Sequence, residues 1–213
     1  MEREEIREMT SAIGLALHPD KEYEIVAGQP EEKTMGGARH SGVGVRLIMR
    51  LASYVETHQL GGVYGPDATF QIGENQRIPD VAFVAATRLP VEGEPEGIWP
   101  MPPDLAVEII SPYDLYEKVI SKVEEYLASG VRQVWLISSE HKTITIYSSP
   151  THTTILTEAD ELVSEELLPG FRCRIADLFR SPIGVRGKSV LTATRYITRP
   201  LSPASEAPLR VLG

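Results

Sequence analysis

One cysteine, Cys173, in 213 residues leaves this chain no internal disulfide framework and no cysteine-based zinc site. No apolar run approaches the roughly 20 residues that a membrane-spanning helix needs. The opening MEREEIREMT alternates acid and base, so no signal peptide is expected. The five histidines (His18, His40, His58, His141, His152) show no paired ligand spacing. Neither standard Gly-rich phosphate loop occurs, which leaves nucleoside-triphosphate hydrolysis unsupported. Ser111 lacks the G-x-S-x-G context of a hydrolase nucleophile. A positive balance is missing too: 21 Lys and Arg face 30 Asp and Glu, for a net charge of −9. From Ser181 onward five bases meet one acid, so that tail carries +4 and the first 180 residues carry −13. An acidic body argues against tight, sequence-independent attachment to phosphate backbones. It leaves room for a nuclease whose metals neutralise the phosphate locally. These features together predict a cytoplasmic protein.

What is present is an ordinary globular composition, 42% apolar, enough for one sizeable core. We expect a single domain over 1–180 and a flexible basic tail over 181–213. Glu2 to about Leu17 reads as a first helix, and YEIVAGQPEEKT as a strand, a Gly-containing turn and a second strand. From His40 to His58, Val43, Leu47, Leu51 and Val55 recur every four positions, which predicts an amphipathic helix closed by Gly61 and Gly62. Strands are expected over Val63–Ile72, Ile78–Ala86 and Leu105–Ser111, the last two separated by the Pro- and Gly-rich TRLPVEGEPEGIWPMPP. Asp114 is a candidate N-cap for a helix that runs to Ser129 and stops at Gly130. VRQVWLIS, KTITIYS and Thr153–Leu156 supply further strands, and a final FRCRIADLF completes the body. A strand, a helix and then an apolar strand imply a crossover between parallel neighbours in a mixed sheet, an α/β fold.

Three residues break the pattern. Pro-Asp occurs four times, normally a turn signal, but Pro79-Asp80 opens the apolar strand IPDVAFVAA. Glu108 stands inside LAVEII, apolar on both sides, the signature of a central strand covered on both faces. An ionised carboxylate there must be paired, protonated or metal-bound. Asp104 shares the parity of Glu108 but lies roughly 13 Å along the strand, too far to share one cation. Lys122 falls among Val119, Val123 and Tyr126 on the apolar side of its helix, where it either snorkels to the edge or reaches Glu108 or a phosphate. Tyr126 shares its face and reads as core packing. Two carboxylates with a lysine suit hard cations, Mg²⁺ or Mn²⁺, and phosphodiester attack.

The stretches RIPDVAFV, PDLAVEIISP, KVEEYLASGVRQVWLI and LLPGF resemble the Uma-two family of restriction endonucleases, within the PD-(D/E)XK nuclease superfamily. The resemblance runs from about Tyr23 to Phe179. It implies a restriction-endonuclease-like mixed central sheet flanked by helices, with Asp80 and Glu108 as catalytic metal ligands. The superfamily lysine usually stands two residues after the second acid, where this chain has Ile110. The resemblance implies a lysine displaced to the next helix, at Lys122, and adds Glu24, His40 and Asp67 as accessory candidates. Relatives commonly carry an acid where this chain has Lys118. The expected activity is a Mg²⁺-dependent DNA endonuclease, with Mn²⁺ as substitute, working as a homodimer on analogy with nucleases of this type. The alternative is a non-catalytic protein that binds nucleic acid or a partner on the same scaffold.

Overall fold

The computed structural model describes residues 21–33, 36–111 and 114–180. The expected first helix and the basic tail lie outside the described residues. The chain begins with a hairpin, β1 (Tyr23–Val26) and β2 (Gln29–Glu32), paired antiparallel from Tyr23↔Glu32 to Val26↔Gln29. Ala27 and Gly28, both at positive φ, make its two-residue turn. Helix α1 (Ala38–Thr57) follows, and Val43, Leu47, Leu51 and Val55 on its inner stripe are wholly buried. At roughly 1.5–3 kcal/mol per buried aliphatic side chain, this stripe is a major anchor of the fold.

The central sheet has six strands in the order β10-β9-β8-β7-β6-β3. They are β3 (Gly61–Tyr64), β6 (Val81–Ala85), β7 (Leu105–Ile110), β8 (Gln133–Ser138), β9 (Thr143–Ser149) and β10 (His152–Leu156). Only β7 and β8 run parallel, Leu105↔Gln133 to Ile110↔Ser138, joined across α2 (Tyr116–Ala128) as the crossover rule requires. A second sheet, β2-β1-β5-β4, adds β4 (Phe70–Ile72) and β5 (Asn75–Arg77) to the hairpin. The short pair β11 (Glu161–Val163) and β12 (Arg172–Arg174) precedes a single turn of helix, α3 (Ile175–Leu178).

Several boundaries differ from the sequence expectation. Val63–Ile72 is two strands in different sheets, because Gly65-Pro66-Asp67 forms a turn closed by Ala68 N–H donating to Gly65 O at 3.2 Å. Helix α1 ends at Thr57, with Gln59 in the left-handed region and Leu60 N–H bonded to Val55 O. Gly61 therefore begins a strand and does not cap a helix. Its φ is +146°, and a Cβ there would lie 2.0 Å from Val84 O. Leu115, not Asp114, occupies the N-cap position of α2; Asp114 Oδ2 instead accepts from Ser111 N–H at 2.6 Å. FRCRIADLF divides into β12 and α3. The loop after β6 is tied down at Trp99, which bridges to Phe70 and stacks on its ring.

Both faces of the sheet are covered. One core joins α1 to Val81, Phe83, Leu105, Val107, Ile109 and the C-terminal elements. The other joins Val123 and Tyr126 of α2 to Ala82, Val84, Ala106, Val134 and Leu136. Glu108 has the parity of Ala106 and so points to the α2 side.

Candidate active site

The register Val81↔Val107 between β6 and β7, carried one step further, sets Asp80 across from Glu108 on the same face. Asp80 N–H donates to Val107 O at 3.0 Å, and Ile109 N–H donates to Asp80 Oδ2 at 2.7 Å. The Asp80 carboxylate is thus pinned to the backbone beside Glu108. His40 Nε2 lies 3.2 Å from the same Oδ2, and Lys33 Nζ lies 3.2 Å from Oδ1. Gly36 packs against the imidazole of His40 so closely that a Cβ would lie 2.2 Å from its Cγ.

From α2, Lys122 Nζ reaches Glu24 Oε1 at 2.8 Å and Glu108 Oε1 at 3.0 Å. Tyr126 Oη donates to the same Glu108 oxygen at 2.7 Å. Glu24, in β1, also accepts Ile78 N–H at 2.9 Å and Arg77 Nη1 at 3.0 Å. Arg77 turns its other guanidinium edge to Glu125, which Asn75 Nδ2 also contacts at 2.8 Å.

Burial alone would raise every one of these carboxyls, and their partners separate them. At Asp80 burial is overcome by the His40 hydrogen bond, the Lys33 charge and the Ile109 N–H, which bring the carboxyl down to about 2. At Glu24 burial is overcome by Lys122, by Ile78 N–H and by Arg77, and the carboxyl lies below its usual range. Glu108 is raised: burial outweighs Lys122, and the charges of Asp80 and Glu24 add to the rise. Burial pulls Lys122 down, but Glu108 and Glu24 more than restore it, so it stays an ammonium. The hydrogen bond to Asp80 lifts His40 above its ordinary value.

Of the residues singled out in the sequence, Asp80, Glu108, Lys122, Glu24 and His40 line one cavity of about 600 Å³. Asp67 does not line that cavity; it lies on the exposed turn after β3, beside Glu22. Lys118 sits on the rim, 3.7 Å from Glu31. Sequence reasoning missed Lys33, Arg77 and Glu125. It also took Tyr126 for core packing: the ring is fully buried, and its hydroxyl belongs to the site.

Seven carboxylates and four lysine or arginine side chains line the cavity, leaving three negative charges in excess with His40 neutral. That surplus and the all-oxygen donors of Asp80 and Glu108 suit a hard divalent cation. Among the described residues no three His, Cys, Asp or Glu side chains converge as a ready metal cluster. An ion here would complete its shell with water or substrate oxygens, as Mg²⁺ habitually does.

A mixed central sheet flanked by helices, with Asp80 just ahead of β6 and Glu108 in the neighbouring β7, is a restriction-endonuclease-like α/β fold. The chain belongs to the Uma2 family, described as "Putative restriction endonuclease", whose sequence pattern matches residues 4–176. The fold is similar to the crystal structure of a "putative nuclease belonging to DUF820" from Anabaena variabilis ATCC 29413. The two share 21% identity at a TM-score of 0.70, over 80% of this chain and 96% of that one. No match was found among the curated proteins. No helix among the described residues is long and apolar enough to cross a membrane.

Proposed function

We propose that this chain is a nuclease that hydrolyses DNA phosphodiester bonds, with Asp80 and Glu108 holding Mg²⁺, or Mn²⁺ in its place. The observation that carries this reading is the convergence of both carboxylates and Lys122, largely shielded from solvent, in a cavity with surplus negative charge. The bound metal would lower the pKa of an attacking water and neutralise the scissile phosphate. Asp80 presents Oδ1 from a carboxylate that Ile109 N–H and His40 fix through Oδ2. Glu108 presents Oε2, since Lys122 and Tyr126 both occupy Oε1. Lys122, held charged by Glu24, supplies a cation in a partly desolvated site where charge builds on the phosphate. It takes the part of the lysine that Ile110 replaces. In the same reading the protein works as a cytoplasmic homodimer.

The alternative, a binding protein on the same scaffold, draws on the pairing of all three central carboxylates within the chain itself. Nicking of supercoiled plasmid in Mg²⁺ or Mn²⁺ separates the two. The expected result is cleavage by the full chain and a fall of at least about a hundredfold in Glu108→Gln and Lys122→Met, both verified as folded by circular dichroism. DNA retention without turnover would favour the binding protein, and undiminished cleavage in both variants would remove the assigned site.

A further inference from the structure

Lys33 follows β2 directly, anchored by its N–H to Glu22 O at 2.9 Å, and extends into the carboxylate cluster. Its side chain is 13% exposed, and among the described residues its buried Nζ has no hydrogen-bond partner. Among the described residues its one close ion pair is to Asp80 Oδ1, at 3.2 Å. With Lys118 out on the exposed rim, the other two inner cations are held twice over: Arg77 by Glu24 and Glu125, Lys122 by Glu24 and Glu108. Lys33 is therefore the most loosely tied cation in the cluster. It also sits on the Asp80 oxygen that is otherwise open, because Oδ2 already accepts from Ile109 N–H and faces His40.

We propose that Lys33 is the resident cation of the metal site and sets its affinity. Its ammonium neutralises Asp80 when no metal is bound, and a divalent ion must displace it from Oδ1 to bind. This rests on the reading of Asp80 as a metal ligand. A buried aspartate without a partner is costly, so an internal cation that yields on demand keeps the empty site folded. The same ion pair is lost when metal enters, which weakens metal binding by the free energy of that contact. Glu22, beside Lys33 and within its electrostatic reach, gives the displaced ammonium a second carboxylate to face.

The test is calorimetric titration of the DNA-free full chain with Mn²⁺ and Mg²⁺. Lys33→Met should bind the ion about tenfold more tightly than wild type, equivalent to about 1.4 kcal/mol, and Lys33→Arg should stay near wild type. Equal or weaker binding by Lys33→Met, or equal tightening by Lys33→Arg, overturns the proposal. Should Lys33→Met fail to fold, amine acylation of the wild-type chain, followed by mass spectrometry, supplies the answer. Added Mn²⁺ should speed labelling of Lys33 severalfold while the exposed Lys142 is unaffected; no acceleration at Lys33 overturns the proposal. Asp80→Asn separates the two levels. If it abolishes ion binding while Lys33→Met leaves affinity unchanged, only the role of Lys33 falls. If Asp80→Asn binds as wild type does, or wild type binds no ion, the metal-ligand reading falls with it.

Discussion

The two faces of the central sheet are built on opposite principles. Against α1 the core is apolar throughout: Val43, Leu47, Leu51 and Val55 share a cluster with Val81, Phe83, Leu105, Val107 and Ile109. Against α2 the inner positions include Lys122 and Tyr126, which meet Glu108 and, beyond it, Glu24 and Arg77. The first face uses side chains that gain free energy simply by leaving water. The second buries charges whose desolvation their mutual attraction only partly offsets, so residues of that kind are weak stabilisers. Stability therefore resides mainly on the α1 side, and the proposed chemistry mainly on the α2 side, with His40 reaching in from the start of α1.

That contrast can be broken from either side. The largest stability effect is expected from Leu47→Ala, about 3 kcal/mol by urea unfolding, because the wholly buried leucine leaves a cavity under the sheet. A loss well below 1 kcal/mol would show that the aliphatic face does not dominate. The acid limb comes next. Asp80 is held at about 2 against an ordinary 3.8, so its contribution is complete above 3.8 and disappears as the pH falls toward 2. The stability of wild type over Asp80→Asn in metal-free buffer should then shrink by about 2 kcal/mol between pH 6 and pH 2. Glu108, raised by its surroundings, works in the other direction and favours the folded state as it takes up a proton. A stability gap independent of pH would mean that Asp80 is not held down by its neighbours. The smallest change is expected from Tyr126→Phe, which removes one hydrogen bond and keeps the ring: about 1 kcal/mol of stability, read from urea unfolding. A loss as large as that of Leu47→Ala would mean that the hydroxyl carries part of the packing load.

The same contrast explains what the sequence made legible. The period-four stripe of α1 and the strand–helix–strand crossover are local patterns, and both were readable to within a few residues. Glu108 and Lys122 were visible because each is a charge in an apolar setting. Asp80 was visible because it opens an apolar strand. Lys33 and Arg77 gave no such signal: one comes directly after a polar strand, and the other follows Asn75 and Gln76. Glu125 looks like a solvent-facing helical residue until Arg77 is folded against it. Tyr126 fits an apolar stripe equally well with or without a hydroxyl bond. Periodicity reports which face is buried, not which polar atom lies across from it. The split of Val63–Ile72 had its cue in Gly65-Pro66-Asp67, where turn chemistry outweighed the propensity of the flanking residues.

The contact between Glu24 and Lys122 spans 98 positions of the chain, and that between Lys33 and Asp80 spans 47. Pairings so distant in sequence close late, after the local helices and hairpins have formed. During synthesis the site cannot assemble until α2 has cleared the ribosome and folded back on the amino-terminal hairpin. A nascent or truncated polypeptide ending between residues 109 and 115 would hold Asp80 and Glu108 but neither Lys122 nor Tyr126. If cleavage depends on Lys122, the timing of its folding protects the cell from unfinished copies of the protein.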